Sequence, residues 1–146
     1  MDQLRQKEGR GIDLVWDVCK GLPLEDARID YAVSVHALPE LAYPDIGPSL
    51  RELRRFLKSG RVLRLVLPDL QKAIRAYLLR RDGYFKGGKE QARSRGGRFI
   101  LHTLWYGHSA PVYPDFIEEF LLKARFVDVV VCGYRQTASR PRRSSS

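Results

Sequence analysis

The sequence is poor in the residues that mark several classes of protein. Only two of the 146 residues are cysteines, Cys19 and Cys132, too few for a disulfide framework or a thiolate metal site. No apolar run approaches the ~20 residues that span a bilayer, and residues 1–11 lack the apolar stretch of a secretory signal. We therefore expect a protein of the reducing cytoplasm, with no metal site and no membrane contact.

Acidic residues are also scarce relative to basic ones. Lys and Arg total 26 against 17 Asp and Glu, a formal net charge of +9. Residues 72–98 hold nine of these cations and two of the acids. Such a balance favours anionic partners. The glycine-rich part, residues 80–98, is predicted to be a long basic loop. It is either a solvated loop or lid, or a nucleic-acid contact with Tyr84 and Phe85 as stacking platforms.

Short β-rich runs alternate with helical patterns along the chain, which indicates an α/β fold. The predicted strands cover residues 12–18, 31–36, 61–67 and 126–132. The predicted helices begin near Pro48, after Asp69 as N-cap, and at Pro114. We expect one domain over residues 1–136 and a disordered basic tail over residues 137–146.

Each predicted helix has an apolar face. The first carries Leu50, Leu53 and Leu57 and is predicted to end at Gly60, where a left-handed residue is favoured. The faces of the other two are Leu70, Ile74, Tyr77 and Leu78, and then Ile117, Phe120, Leu121 and Ala124.

An ordered set of short motifs runs through residues 12–70 and 99–132. The motifs are Asp17 with Leu22-Pro23-Leu24, Ile29-Asp30, Ser34-Val35-His36-Ala37-Leu38, Phe56-Leu57-Lys58-Ser59-Gly60-Arg61 and Lys123-Ala124-Arg125-Phe126. In order and spacing they resemble the class I S-adenosylmethionine-dependent methyltransferase domain of the small-molecule type 11 group. The resemblance implies a three-layer, mainly parallel, Rossmann-like sheet. It also implies methyl transfer from S-adenosylmethionine to a small-molecule or other nucleophile.

The sequence departs from that family at the glycine-rich motif, an acidic residue and Gly-x-Gly between the first strand and first helix. Only Gly9-Arg10-Gly11 is present, ahead of the first predicted strand. The resemblance thus starts at the family's third strand and implies a truncated domain, weak or inactive alone. We expect residues 12–18 to pair with 31–36, or a second copy or partner subunit to complete the sheet. Arg125 stands where the family has a left-handed glycine.

The resemblance also assigns roles to four residues. Asp17 would accept from the adenine amino group and Val18 would offer its backbone N–H to the ring. Ser34 would lie against the methionine part of S-adenosylmethionine, and His36 would act as general base. On the residues alone, Asp17 is alternatively a solvated strand-end aspartate or a cap, and His36 is alternatively a packed or surface histidine.

Alternatives from other classes stay open. The aromatic side chains of Trp105, Tyr106 and Tyr113 belong either to a substrate pocket or to the core. The whole chain is alternatively a non-catalytic basic module that binds nucleic acid or an acidic partner, or a scaffold subunit.

Overall fold

A computed structural model describes residues 17–85, 92–105, 113–133 and 136, and it has a mixed α/β architecture. The strands are β1 (Ile29–Val35) and β2 (Leu57–Val66). The α-helices are α1 (Tyr43–Phe56), α2 (Leu70–Leu78), α3 (Arg95–Ile100) and α4 (Pro114–Lys123). Single turns of 3-10 helix cover Val18–Lys20, Leu38–Glu40 and Asp82–Tyr84, and a π-helical stretch, Leu101–Trp105, continues α3.

β1 and β2 form a parallel pair joined by α1, as the sequence predicted. Tyr31 lies opposite Val62 and Val35 opposite Val66. Within the described ranges the sheet has these two strands. Most of the predicted strand at 12–18, its pairing with 31–36, and the tail at 137–146 lie outside the described residues. The described end of that strand is wrong, because Val18 begins a 3-10 turn.

The helix α1 and the strand β2 follow each other without a loop. Phe56 ends the helix and Leu57 begins the strand. Ile29 faces Leu57 and Tyr31 faces Val62, so β2 accommodates extra residues in a bulge. Gly60, with φ of 72°, lies in this bulge. Its left-handed conformation was predicted correctly, but its role as the end of the helix was wrong.

α1 begins at Tyr43, five residues before the predicted start at Pro48. Pro44 occupies the first turn, where a proline fits without losing a hydrogen bond. Pro48 then lies inside the helix. The loss of one backbone bond there is tolerated because Ile46 and Leu50 on the same helix are fully buried.

Apolar side chains gather in two clusters. The larger joins the inner sheet face, α1 and α4, and its buried members are Leu38, Ile46, Leu50, Ile117, Leu121 and Ala124. The predicted face of α4 is therefore confirmed. The smaller contains Ala73, Ala76 and Phe85, with Phe99 packed against them.

The predicted face of α2 is wrong in part. Tyr77 and Leu78 are exposed, whereas Ala73 and Ala76 are buried. Short alanine side chains let the rings of Phe85 and Phe99 approach the helix.

The predicted last strand, residues 126–132, is also wrong. Residues 126–133 have no regular secondary structure, and Val127, Val130 and Val131 are exposed. A β-rich run forms a strand only beside another strand, and among the described residues none pairs with this segment. Arg125 does adopt the left-handed conformation expected of a glycine there, with φ of 66°.

The outer face of the sheet is open to solvent. Tyr31, Val33 and Val35 alternate along β1 and are each more than half exposed, and Val62 on β2 is 49% exposed. Completion of the sheet by a second copy or a partner subunit stays a prediction. Along the described ranges, no helix combines the length and apolarity that crossing a membrane requires.

Candidate functional site

Ser34 and His36 lie at the carboxyl end of β1, as predicted. Ser34 is opposite Leu65, and the His36 N–H donates to the Val66 carbonyl at 2.9 Å. His36 has φ of 54°, a left-handed conformation that is unfavourable for a residue with a side chain. Ligands of open α/β sheets bind beyond the carboxyl ends of the strands. Strained residues such as His36 are also enriched at functional sites.

Asp17 is the N-cap of the 3-10 turn that begins at Val18. Its Oδ1 accepts from the Cys19 N–H at 3.0 Å, and its Oδ2 lies 3.3 Å from Lys20 Nζ. The Cys19 N–H, followed by Lys20, lowers the pKa of Asp17 below its ordinary value. The carboxylate is thus ionised near neutral pH and about half exposed. The structure thus confirms the alternative that Asp17 is a cap. Its carboxylate is still accessible as an anionic hydrogen-bond acceptor.

The segment after Asp17 runs along α1 toward the start of β1. Cys19 Sγ lies 3.8 Å from Ser49 Oγ, and Ala27 N–H donates to the Arg55 carbonyl at 3.0 Å. Ser49 and Arg55 are six residues apart, about 9 Å along a helix. Ser49 is the seventh of the 14 residues of α1, so the turn that begins at Val18 packs beside the middle of that helix. The structure therefore places Ser34 and His36 at the carboxyl end of β1, and Asp17 and Val18 beside the middle of α1.

Arg55 holds this segment in place, and sequence reasoning missed it. Its Nη1 donates to the Leu24 carbonyl and to Asp26 at 2.7 Å, and its Nη2 donates to the Leu22 carbonyl at 3.0 Å. Glu52 accepts from the same guanidinium at 2.9 Å. These hydrogen bonds lower the pKa of Glu52 and raise that of Arg55. The only sequence feature that pointed to Arg55 was its position three residues after Glu52, a spacing typical of ion pairs on a helix.

The aromatic residues proposed for a pocket lie on separate elements. Tyr113 precedes α4 and lines an open depression of about 340 Å³ with Asp115, Phe116 and Glu119. Trp105 ends the π-helical stretch, and Tyr106 lies outside the described residues.

In its described part, the basic range 72–98 holds short helical pieces. It contains the end of α2, the Asp82–Tyr84 turn and the start of α3. Phe85 is 1% exposed, so its predicted role as a stacking platform is wrong. Tyr84 is 37% exposed, and its ring contacts those of Phe85 and His102 edge-on, each at 5.2 Å.

Asp82, the acidic residue of this range that the structure describes, is paired with two arginines. Asp82 Oδ1 accepts from Arg95 Nε at 3.0 Å and lies 3.9 Å from Arg98. The Arg95 hydrogen bond lowers the pKa of Asp82. Within the described part of the chain, no three His, Cys, Asp or Glu side chains group as metal ligands.

Comparisons with family models, curated proteins and solved structures give no match. The functional proposal therefore depends on the chain's own geometry and on the motif resemblance.

Proposed function

We propose that the β1–α1–β2 unit is part of a three-layer, Rossmann-like methyltransferase domain that binds S-adenosylmethionine. The observation that supports this most is the position of Ser34 and His36 at the carboxyl end of β1, where ligands of open α/β sheets bind. Asp17 and Val18 pack beside the middle of α1, the helix that follows β1. The motif resemblance predicts these residues at the cofactor site.

Two of the described residues carry the groups with which adenine would pair. Adenine presents an amino donor beside a ring-nitrogen acceptor, so it needs an acceptor next to a donor. The Asp17 carboxylate and the Val18 backbone N–H are such a pair in adjacent residues. The family's glycine turn has only Gly9-Arg10-Gly11 as a counterpart, and those residues lie outside the described ranges. We therefore expect binding weaker than in a complete domain.

His36 would serve the acceptor rather than the cofactor. When bound, S-adenosylmethionine supplies an electrophilic methyl group on a positively charged sulfur. The acceptor would gain this methyl group and would have to lose a proton. The His36 imidazole would take the proton that the acceptor loses. Ser34 would help to position the reactants, which supplies much of the catalysis in such a displacement.

Isothermal titration calorimetry with S-adenosylmethionine tests the proposal. We expect saturable heat in the micromolar range and about tenfold weaker binding for Asp17→Asn, because a charge-assisted hydrogen bond is lost. Asp115→Asn is the matched control, since Asp115 is likewise an exposed carboxylate at the start of a helix that accepts from a backbone N–H, that of Phe116. It should bind like the parent, as should His36→Gln. Absence of heat at millimolar ligand, or equal losses for both Asp variants, would contradict the proposal.

A further inference from the structure

We propose that the exposed cations of α2 and its flanks, together with Tyr84, bind single-stranded nucleic acid. This basic surface is defined by Lys72, Arg75, Arg80, Arg81, Arg93 and Tyr84, all exposed in the structure. It is separate from the proposed cofactor site and does not depend on it.

Most cations of the basic surface have no carboxylate within 4 Å in the described part of the chain; the exception is Lys72, whose Nζ lies 3.2 Å from Asp69 Oδ2. On the sheet side, Arg28, Lys58 and Lys123 have such a partner, whereas Arg51 and Arg64 have none among the described residues. Among the described residues, no carboxylate lies that close to Arg75, Arg81 or Arg93. The nearby acid, Asp82, is already bonded to Arg95. The positive potential here is therefore little compensated, which favours a polyanionic ligand.

The C-terminus of α2 carries an arginine where folding favours glycine. Arg80 N–H donates to the Tyr77 carbonyl and Arg81 N–H to the Ala76 carbonyl, which is the Schellman pattern. Arg80 occupies its left-handed position, with φ of 53°. Helix stability alone does not explain an arginine there. Arg80 thus places an exposed charge at the end of α2, as Arg125 does at the end of α4.

Tyr84 adds an aromatic face beside these charges. Its ring is 37% exposed, and its edge contacts with Phe85 and His102 fix its orientation. The Asp82–Tyr84 turn packs against α2. Burial, followed by Asp69, raises the pKa of the Tyr84 hydroxyl, and Lys72 opposes this shift. Bases stack on such rings irrespective of sequence. A stacking ring among phosphate-binding cations distinguishes single-stranded nucleic acid from a lipid or an acidic peptide.

Fluorescence anisotropy with a labelled oligothymidylate, titrated at several salt concentrations, tests the charges. Five phosphate contacts predict a slope of log affinity against log salt of about −3.5. The triple variant Arg75→Gln, Arg81→Gln, Arg93→Gln should bind at least tenfold more weakly, and its slope should be shallower by about 2.

The matched control removes three cations from the sheet side: Arg28→Gln, Arg51→Gln, Lys123→Gln. It has the same net charge as the triple variant, so it should keep the parent's slope. Equal losses in the two variants, or no binding by the parent at low salt, would overturn the proposal. Circular dichroism should show that both variants are folded.

A second pair of variants tests the ring. Tyr84→Leu should weaken oligothymidylate binding about fivefold through loss of stacking, whereas Tyr84→Phe should bind like the parent. Polyglutamate and anionic vesicles serve as alternative polyanions. If either competes as well as the oligothymidylate, or if a duplex binds more tightly, the assignment to single-stranded nucleic acid is wrong.

Discussion

Two regions of the molecule are built in different ways. The sheet region, composed of β1, β2, α1 and α4, surrounds six buried apolar side chains with further partly buried ones packed against them. The basic region, composed of α2, the Asp82–Tyr84 turn, α3 and the π-helical stretch, has a cluster of three buried side chains with Phe99 packed against it, and Leu101 and Thr103 are also buried there. The more extensive contacts between elements stay within each region. The sheet region is thus held by the larger apolar cluster, beside which Tyr43, Phe116 and Phe120 form aromatic pairs, and the basic region by a smaller cluster.

This difference matches the two proposed sites. A cofactor site needs side chains fixed by packed strands and helices, as Ser34 is fixed by the β1–β2 pairing. A nucleic-acid surface tolerates local opening, because its cations and its stacking ring act largely independently of one another. We therefore expect the basic region to open locally at a lower free energy than the sheet region.

The largest expected effect comes from truncating one central side chain in each region. Leu50 is fully buried, and Leu50→Ala should lower the free energy of global unfolding by about 4 kcal/mol. Phe85→Ala should lower the opening free energy of the basic region alone by about 3 kcal/mol, because its cluster can partly collapse. Native-state amide hydrogen exchange, resolved by residue, measures both.

The control is Leu122→Ala on the outer face of α4, which is 53% exposed. Its effect should stay within about 0.5 kcal/mol. If Phe85→Ala accelerates exchange in β1 and α1 as much as in α2 and α3, the two regions unfold as one unit.

The sheet region was the easier one to predict from the sequence. β1, β2 and α4 follow local patterns, namely β-branched runs and an apolar face with a proline at the first turn. The N-cap Asp69, whose Oδ1 accepts from Lys72 N–H at 3.0 Å, was predicted for the same reason. Local chemistry is sufficient for such features, because their partners lie within a few residues.

Features that depend on distant partners were missed. Residues 126–132 have strand composition, but strand formation also requires a neighbouring strand, which local sequence does not supply. Arg55 binds the carbonyls of Leu22 and Leu24, and neither an arginine nor a leucine predicts such a contact from its residue type. The candidate site residues were named through the motif resemblance, whereas the packing of the Val18–Lys20 turn beside α1 depends on a contact between residues 30 positions apart, Cys19 and Ser49.

An intermediate effect comes from the two left-handed arginines, one in each region. Arg80 follows α2 and Arg125 follows α4, with φ of 53° and 66°. Because a side chain makes this conformation costly, Arg80→Gly and Arg125→Gly should each stabilise their own region by about 1 kcal/mol. Hydrogen exchange of α2 and of α4, respectively, reports the gain.

An arginine-to-glycine substitution inside a helix should have the opposite effect on stability. Arg75→Gly, in the interior of α2, should destabilise the basic region by about 1 kcal/mol. If Arg80→Gly destabilises as well, Arg80 makes a contact that outweighs its backbone strain.

The smallest expected effect is a pH dependence that separates the regions. The Arg95 hydrogen bond lowers the pKa of Asp82 in the folded state below its ordinary value of 3.8. Folding thus favours the ionised form, and this stabilisation is present above pH 3.8 and lost as the pH falls through the lower folded value. Amide exchange in α3 should therefore accelerate below that pH.

Asp82→Asn should remove this acid dependence. The corresponding dependence at Glu52 in the sheet region, where Arg55 lowers the pKa of Glu52, should persist. Loss of both dependences in Asp82→Asn would show that the regions are coupled.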